Sequence, residues 1–539
     1  MSKALVSEKF TQGEAIDLSH HLSKVSRERA ISPLKGLQKY FGKPGIISLA
    51  GGLPSPAYFP FDSISADVLV PDSFSTLADS ENKGPFSWIW GLFSSRKDAT
   101  SLVTIAKYPK DPADLNLATA LQYGLSAGLP QLQKVVHEFT LTVYKPAYSN
   151  FTTMLHVGNT DGWMKAALTL CNPGEGILAS EWTYPSAMAT ILPYGISPVP
   201  VPMDGQGMRS DSLRSILAGW DEVARGMPRP HVMYIIPVGQ NPTGATMLAQ
   251  RKKEIYDICV EFDVIIVEDD PYYFLQEGPY TPPSERSRKS EDLVLDDEKY
   301  IASLAPSFLA FDYQGRVVRL DTFSKTIAPG CRLGWFTCNP VFAERLERLA
   351  ETSTQAPCGF GQSFVTALLL NWQAKGYLRW LKGLGAQYTR RRNFFLDCLL
   401  ENFHLELGSS SEGEFKGFNV YFASELTNSV GSQKGYIEGP IFSFVPPTSG
   451  MFVWLQFHFD RHPNVSEVGE KSLEQQLWIA LAEAGVLFGP GEFFSADRSQ
   501  GEADGSGHFR ISFSNAEYSD LKKAVAIFTR VVRDFFKKA

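Results

Sequence analysis

The chain has no CxxC pair and no HExxH or comparable ligand spacing among its nine histidines. It also has no apolar run near the roughly 18–20 residues that a membrane span needs. Six cysteines (Cys171, Cys259, Cys331, Cys338, Cys358 and Cys398) are scattered over 539 residues. That argues against a disulfide scaffold and for reduced thiols, so a cytoplasmic compartment is expected. The histidine spacing gives no reason to expect a structural metal. The first residues, MSKALVSEKFTQGEAIDLSHHL, lack the apolar core of a signal peptide. Basic excess is missing too: 51 Lys and Arg stand against 58 Asp and Glu, for a net charge of −7. A nucleic-acid partner would want a basic face, so neither nucleic acid nor membrane is an expected partner. No internal repeat is visible.

What remains is an ordinary globular composition in a chain long enough for two or three units with large cores. About the first 45 residues are polar and read as an arm with short helical pieces. Residues 71–107, with Trp88, Trp90 and several Ser and Gly, read as a loop-rich insertion. From residue 154 short strands alternate with helices: MLHV, GILAS, HVMYIIPV, VIIVE, VVRL and LGWFTC are the strands. That alternation predicts an α/β sheet, mostly parallel and covered on both faces. Residues 276–314, charged and rich in Pro and Ser, interrupt it as a solvated excursion. A long helix over roughly 374–403 leads to a smaller α/β domain. The predicted division is therefore 1–60 arm and lid, 61–374 large domain, and 375–539 small domain. Ser32–Leu34 and Tyr58–Phe61 are the expected movable parts of the lid, hinged by Gly51, Gly52, Pro54 and Pro56.

In such sheets ligands sit beyond the carboxyl ends of the strands, so the loops there carry the information. After MLHV, Gly158–Asn159–Thr160 opens a helix; it is an ordinary capped turn or an anion cradle. After GILAS, Tyr184 is a loop aromatic able to stack on a flat ring. After HVMYIIPV, Asn241 begins an Asn-Pro turn or donates its amide to a ligand. After VIIVE come Asp269 and Asp270, then Tyr272; an exposed helix-capping acid fits one of the two but not easily both. After VVRL comes DTFSKTIAPGCRLGW, in which Lys325 lies near Thr322, Ser324 and Arg332. Lys325 is either a surface lysine or a reactive amine beside a phosphate site. Taken together, a phosphate group, a flat ring, a phenolic oxygen, a cationic ring nitrogen and an aldehyde would each find a partner. Pyridoxal 5′-phosphate has all five.

The ordered set SLAGGLPSPAYFPF, LQYGLSAGLPQL, QNPTG, VEDDPYYFL, DTFSKTIAPGCRLGW, PTSGMFVWL and HFRISFSN resembles the fold-type I pyridoxal 5′-phosphate-dependent aminotransferases. It is most similar to the fungal aromatic amino acid aminotransferases and the kynurenine/2-aminoadipate aminotransferases, from residue 32 to residue 515. The resemblance implies a large domain built on a seven-stranded sheet, and Lys325 as the Schiff-base lysine that also moves the proton. It implies Asp269 on the pyridine nitrogen, Asn241 and Tyr272 on the ring hydroxyl, and Tyr184 stacked on the ring. Asn159, Thr160, Thr322, Ser324 and Arg332 would hold the phosphate. Tyr123 would reach the phosphate of a neighbouring subunit, which implies a homodimer. Arg510 would clamp the substrate α-carboxylate, with the Gly52 backbone close by and Asn241 also near the substrate. Ser449 stands where many relatives have glycine. The implied activity is transamination of phenylalanine, tyrosine and tryptophan, with 2-oxoglutarate or an aromatic 2-oxo acid as acceptor. Alternatives are a 2-aminoadipate or kynurenine aminotransferase, and a lyase or decarboxylase on the same fold. A non-catalytic regulatory module would need a DNA-binding helix pair ahead of the fold, for which the arm is too short and not basic enough.

Overall fold

Runs of β-branched and apolar residues bounded by Gly, Pro and Asn turns form the strands of this protein. The computed structural model describes residues 13–33, 52–76, 99–286, 296–411, 413–426, 439–462, 472–497 and 506–537, with single positions 36, 40, 43, 45–47, 49 and 50. The first strands, β1 (Ser63–Leu69) and β2 (Thr100–Ala106), form an antiparallel ribbon with Ser63 opposite Ala106. The end of the supposed loop-rich insertion is thus a strand. Its alternation of Thr, Leu and Thr with Ser, Val and Ile drives Val103 and Ile105 into the core. Residues 77–98 of that insertion lie outside the described residues.

The main sheet takes β3 (Thr152–His156), β4 (Gly176–Ser180) and β5 (Ser197–Val201). A two-residue ladder follows, β6 (Met203–Asp204) on β7 (Gly207–Met208). The sheet then adds β8 (Val232–Ile235), β9 (Ile265–Asp269), β10 (Val317–Thr322) and β11 (Gly334–Cys338). Its seven strands run in the order β3-β11-β10-β9-β8-β4-β5, all parallel except β11. Both faces are covered. Leu155, Leu178, Met233 and Ile266 join one core cluster; their neighbours Met154, Ile177, Val232 and Val267 join the other. That one-residue alternation separates two sets of buried polar groups at the carboxyl ends of β9 and β10.

The helix Gly359–Asn402 is broken at Gln373 (φ 56°, ψ 176°), and its second part is the expected long connector. It leads to a second sheet of β12 (Phe403–Ser409), β13 (Asn419–Glu425), β14 (Phe442–Phe444), β15 (Phe452–His458), β16 (Gly489–Pro490) and β17 (Ser506–Ser512). The order is β12-β13-β14-β15-β17-β16, antiparallel throughout. The helix Tyr518–Lys537 lays Leu521, Val525, Phe528, Val532 and Phe536 into the core. No helix among the described residues is long and apolar enough to cross a membrane.

The excursion and the arm carry buried contacts that their polar composition hides. The 276–314 excursion is anchored at its described ends: Phe308 and Leu309 are fully buried, and Arg286 forks onto Asp397 at 2.7 Å. Its residues 287–295 lie outside the described residues. The arm is likewise docked. Leu18 and Leu22 are buried, and Ile16 N–H and Ser23 N–H donate to the carbonyls of Gln314 and Thr169. Of the supposed lid, Leu34 and Gly51 lie outside the described residues.

Candidate active site

Asp269 closes β9, Asp270 follows it, and both are buried, so neither is an exposed capping acid. The pleat sends them to different partners. Asp270 joins Glu268 and Asp321 around the fully buried Arg319, whose guanidinium lies 3.9 Å from the ring centroid of Tyr144. Asp269 instead faces a cavity of about 340 Å³ at the carboxyl ends of the strands. Its Oδ2 accepts from Tyr234 Oη at 2.6 Å and its Oδ1 from Asn159 Nδ2 at 2.7 Å. Burial raises the Asp269 carboxyl above the ordinary range, while these two donors oppose the rise. A cation meeting that carboxylate would offset its desolvation.

The helix Asn159–Leu170 starts at the end of β3 and points its first turn into the cavity. Gly158 adopts φ 102°, a conformation that favours glycine, and Arg332 Nη2 packs against it where a Cβ would lie. The Gly158 N–H donates to Nδ1 of the buried His156, which burial holds neutral, with a pKa pushed down to about 3. Across the turn, Thr322 Oγ1 lies 2.9 Å from Ser324 Oγ, and Arg332 stands at the same rim. Thr160, Thr322, Ser324 and Arg332 thus converge with a helix N-terminus as an anion site would require. Asn159 also lines the cavity. Its side-chain amide is committed to Asp269 and to the Leu320 carbonyl, leaving its buried Oδ1 without a partner.

Lys325 lines the same cavity, half-buried. Burial lowers its pKa, and the charges of Arg332 and Arg510 add to the effect. An amine so placed keeps more of its nucleophilic neutral form than a surface lysine does.

Arg510 reaches the cavity from β17 of the second sheet. Its Nη1 donates to Asn241 Oδ1 at 2.8 Å, and its guanidinium lies 4.4 Å and 4.6 Å from the ring centroids of Phe452 and Phe494. Its Nε is buried without a partner, and it forms no ion pair with a described carboxylate. Two glycine turns set this junction. A Cβ on Gly239 would meet Gly450 Cα at 2.6 Å, so the turn carrying Asn241 and the turn before β15 press backbone to backbone. Ser449 is fully buried there and its hydroxyl hydrogen-bonds Thr246 Oγ1, which fills the place of the smaller residue without entering the cavity. Tyr272, buried, and Tyr184 complete the expected set in the cavity wall.

Tyr123 and Gly52 do not line it. Tyr123 is 62% exposed, and nothing lies within 4 Å of a Cβ at Gly52. Sequence reasoning missed Tyr234, Trp163, Ser186, Ile236 and Phe452, all in the wall. Tyr234 had a usable signal, since a phenol inside an otherwise apolar buried strand must find a partner for its hydroxyl.

The chemistry of this donor set fits a phosphorylated, cationic aromatic ring. It offers a buried carboxylate for a ring N–H, an anion site, an amine, and one further cation for a carboxylate. Residues 98–415 match the family model for aminotransferase class I and II. The chain is 34% identical to an aromatic amino acid aminotransferase of Schizosaccharomyces pombe, over 97% of this chain and 98% of that protein. It is 35% identical to the L-tyrosine:2-oxoglutarate aminotransferase of Serpula lacrymans, over 89% and 84% of the two chains. The crystal structure of aminotransferase Aro8 from Candida albicans superposes with a TM-score of 0.80 at 34% identity, covering 97% of this chain and 99% of that one. The chain therefore belongs to the aminotransferase class I and II family, whose fold works with pyridoxal 5′-phosphate.

Proposed function

We propose that the protein transfers the amino group of aromatic L-amino acids (phenylalanine, tyrosine, tryptophan) to 2-oxoglutarate or an aromatic 2-oxo acid. The observation that carries this reading is Arg510, a cation without an ion-pair partner among the described residues, bracketed by Phe452 and Phe494 beside Lys325. A second cavity shares Tyr184, Ser186 and Arg510 with the first and is walled by Phe493, Phe494 and Gly489. It offers an aromatic side chain an apolar berth next to the carboxylate clamp.

Pyridoxal 5′-phosphate supplies an electron-withdrawing ring and an aldehyde that accepts the amino group. The roles of this chain follow from where its groups stand. Thr160, Thr322, Ser324, Arg332 and the backbone at Asn159 would anchor the phosphate. Tyr184 would cover the ring face, and Asn241 and Tyr272 would hold the ring hydroxyl. Asp269, positioned by Tyr234 and Asn159, would keep the proton on the ring nitrogen. Lys325 would tether the aldehyde, be displaced by the substrate amine, and use Nζ to carry the proton from the substrate α-carbon. Arg510 would fix the α-carboxylate so that this proton faces Lys325.

Tyr123 supports a homodimer in which it completes the partner site. Exposed apolar side chains occur in the same segments: Tyr58 is 86% exposed, and Leu102, Tyr108 and Leu125 are exposed too. Gln122 and Lys107 donate to the Pro54, Ala57 and Phe59 carbonyls and so bring Tyr58, Tyr108 and Tyr123 toward one face. Gly52 and the Tyr58–Phe61 stretch border that face and remain the candidate lid, with Phe61 edge-on to Phe360 at 5.1 Å. The unpaired cysteines are in keeping with a reducing, cytoplasmic compartment.

A panel of amino donors, each assayed with 2-oxoglutarate by kcat/KM, tests the substrate class. Aromatic donors should lead. A clear preference for 2-aminoadipate or kynurenine would overturn the aromatic reading.

A further inference from the structure

We propose that His20, His21 and Asp263 form a site for a borderline-soft divalent cation of the zinc type, which clamps the N-terminal segment to the large domain. His20 and His21 lie on the 3₁₀ turn Ser19–His21, and Asp263 lies just before β9. His20 Nε2 is 2.8 Å from Asp263 Oδ2, and His21 Nε2 is 3.1 Å from Asp263 Oδ1. The three donor atoms all lie within 4.8 Å of one another. Zinc binds imidazole and carboxylate at about 2.0–2.2 Å, which sets tetrahedral donor separations of roughly 3.3 Å. Small side-chain adjustments bring the three donors onto one ion and leave a fourth position for water from the adjoining cavity.

The surrounding hydrogen-bond chain suits a ligating imidazole. His21 Nδ1 faces His231 Nδ1 at 3.0 Å, and His231 Nε2 faces Glu175 Oε2 at 3.3 Å. With a cation on His21 Nε2, His21 Nδ1–H can donate to His231 Nδ1 and His231 Nε2–H to Glu175, so a second histidine and a carboxylate would orient the ligating ring. This is the carboxylate–histidine support that ligating imidazoles characteristically have. His21 is 3% exposed, so packing holds its ring in place.

Two neighbouring arginines select against hard cations. Arg316 Nη1 donates to Asp263 Oδ1 at 2.7 Å, and Arg27 donates to the His20 carbonyl at 2.6 Å. Both reduce the local negative potential on which magnesium or calcium would depend, whereas two imidazoles hold a softer ion by their lone pairs. Asp263 Oδ2, the oxygen facing His20 Nε2, is taken up by neither arginine. The site shares no residue with the reaction cavity, so it acts on the docking of the segment and not on the chemistry.

Calorimetric titration of the metal-stripped, cofactor-loaded enzyme with Zn²⁺ tests the proposal. One ion per chain should bind and raise the thermal midpoint without changing the transamination rate. His20→Ala, at an exposed position, should weaken binding by at least about tenfold, the scale of losing even a supporting group. Asp263→Asn, which keeps the shape, should do the same. Absence of stoichiometric binding would overturn the proposal. So would unchanged affinity in both variants, which would place the ion elsewhere, for instance on the exposed thiol of Cys358.

Discussion

At the residue scale, the Asp269 carboxylate has two donors, Tyr234 and Asn159, and a face open to the cavity. Removing the charge or a donor should separate their roles. Asp269→Asn keeps the volume but not the anion, and transamination should fall by at least about a hundredfold, the scale of losing a positioned proton-holding group. An unchanged rate would remove Asp269 from the mechanism; Asp270, committed to Arg319, is not placed to substitute. Tyr234→Phe leaves the charge and deletes one hydrogen bond from a buried acceptor, which costs about 1–3 kcal/mol. It should lower kcat roughly tenfold and speed cofactor loss on dialysis; a change in KM alone would contradict the positioning role. Arg510→Ala should weaken amino acids and 2-oxo acids alike by about 2–5 kcal/mol in kcat/KM, because both carry the same carboxylate. A loss confined to 2-oxoglutarate would place Arg510 at the distal carboxylate instead.

At the scale of elements, the reaction cavity depends on loops that bring the two sheets together. The Gly239 and Gly450 turns touch at the backbone, so Gly239→Ala must push β15 and its neighbour β17 away from Asn241. Arg510 rides on β17, so this variant should lose thermal stability and kcat/KM together, with the cofactor still bound. Full activity would mean that the junction tolerates a spacer. The same elements show what the sequence could and could not convey. Strands β4, β8 and β9 are continuous apolar runs ending at turn residues, and were legible with the chemistry that follows them. Strand β2 was not, since its alternation is flanked by Ser, Thr and charged residues and its partner β1 lies far back in the chain. The docking of the arm was also hidden: Leu18 and Leu22 are two apolar residues in a polar stretch, and only the groove that receives them makes them core.

At the scale of the whole molecule, buried titratable groups set the response to acid. His156 sits fully buried behind the Gly158 turn, with a folded pKa of about 3 against an ordinary value of 6.5. Between these values the unfolded chain takes up a proton that the folded chain refuses. Stability should therefore be constant above about pH 6.5 on this account and fall as pH drops toward 3. His156→Asn, whose amide oxygen can replace Nδ1 as acceptor for Gly158 N–H, should flatten that fall in thermal midpoints measured from pH 8 to pH 5. An identical slope in the variant would assign the acid sensitivity to other groups. Tyr234 and Asn159 illustrate the limit of a sequence reading at this scale. Motif spacing located the carboxylate, but which side chains surround it was decided by the register of β8 beside β9 and by the entry of a distant helix.

The most direct measurement of the central claim follows the nitrogen. Cofactor-loaded enzyme is mixed with ¹⁵N-labelled L-phenylalanine and 2-oxoglutarate, and the label is traced by NMR. The account predicts that it appears in glutamate, with one aromatic 2-oxo acid formed for each glutamate, and that Lys325→Ala abolishes the transfer. Label released as ammonia, or labelled 2-phenylethylamine with loss of carbon dioxide, would contradict it.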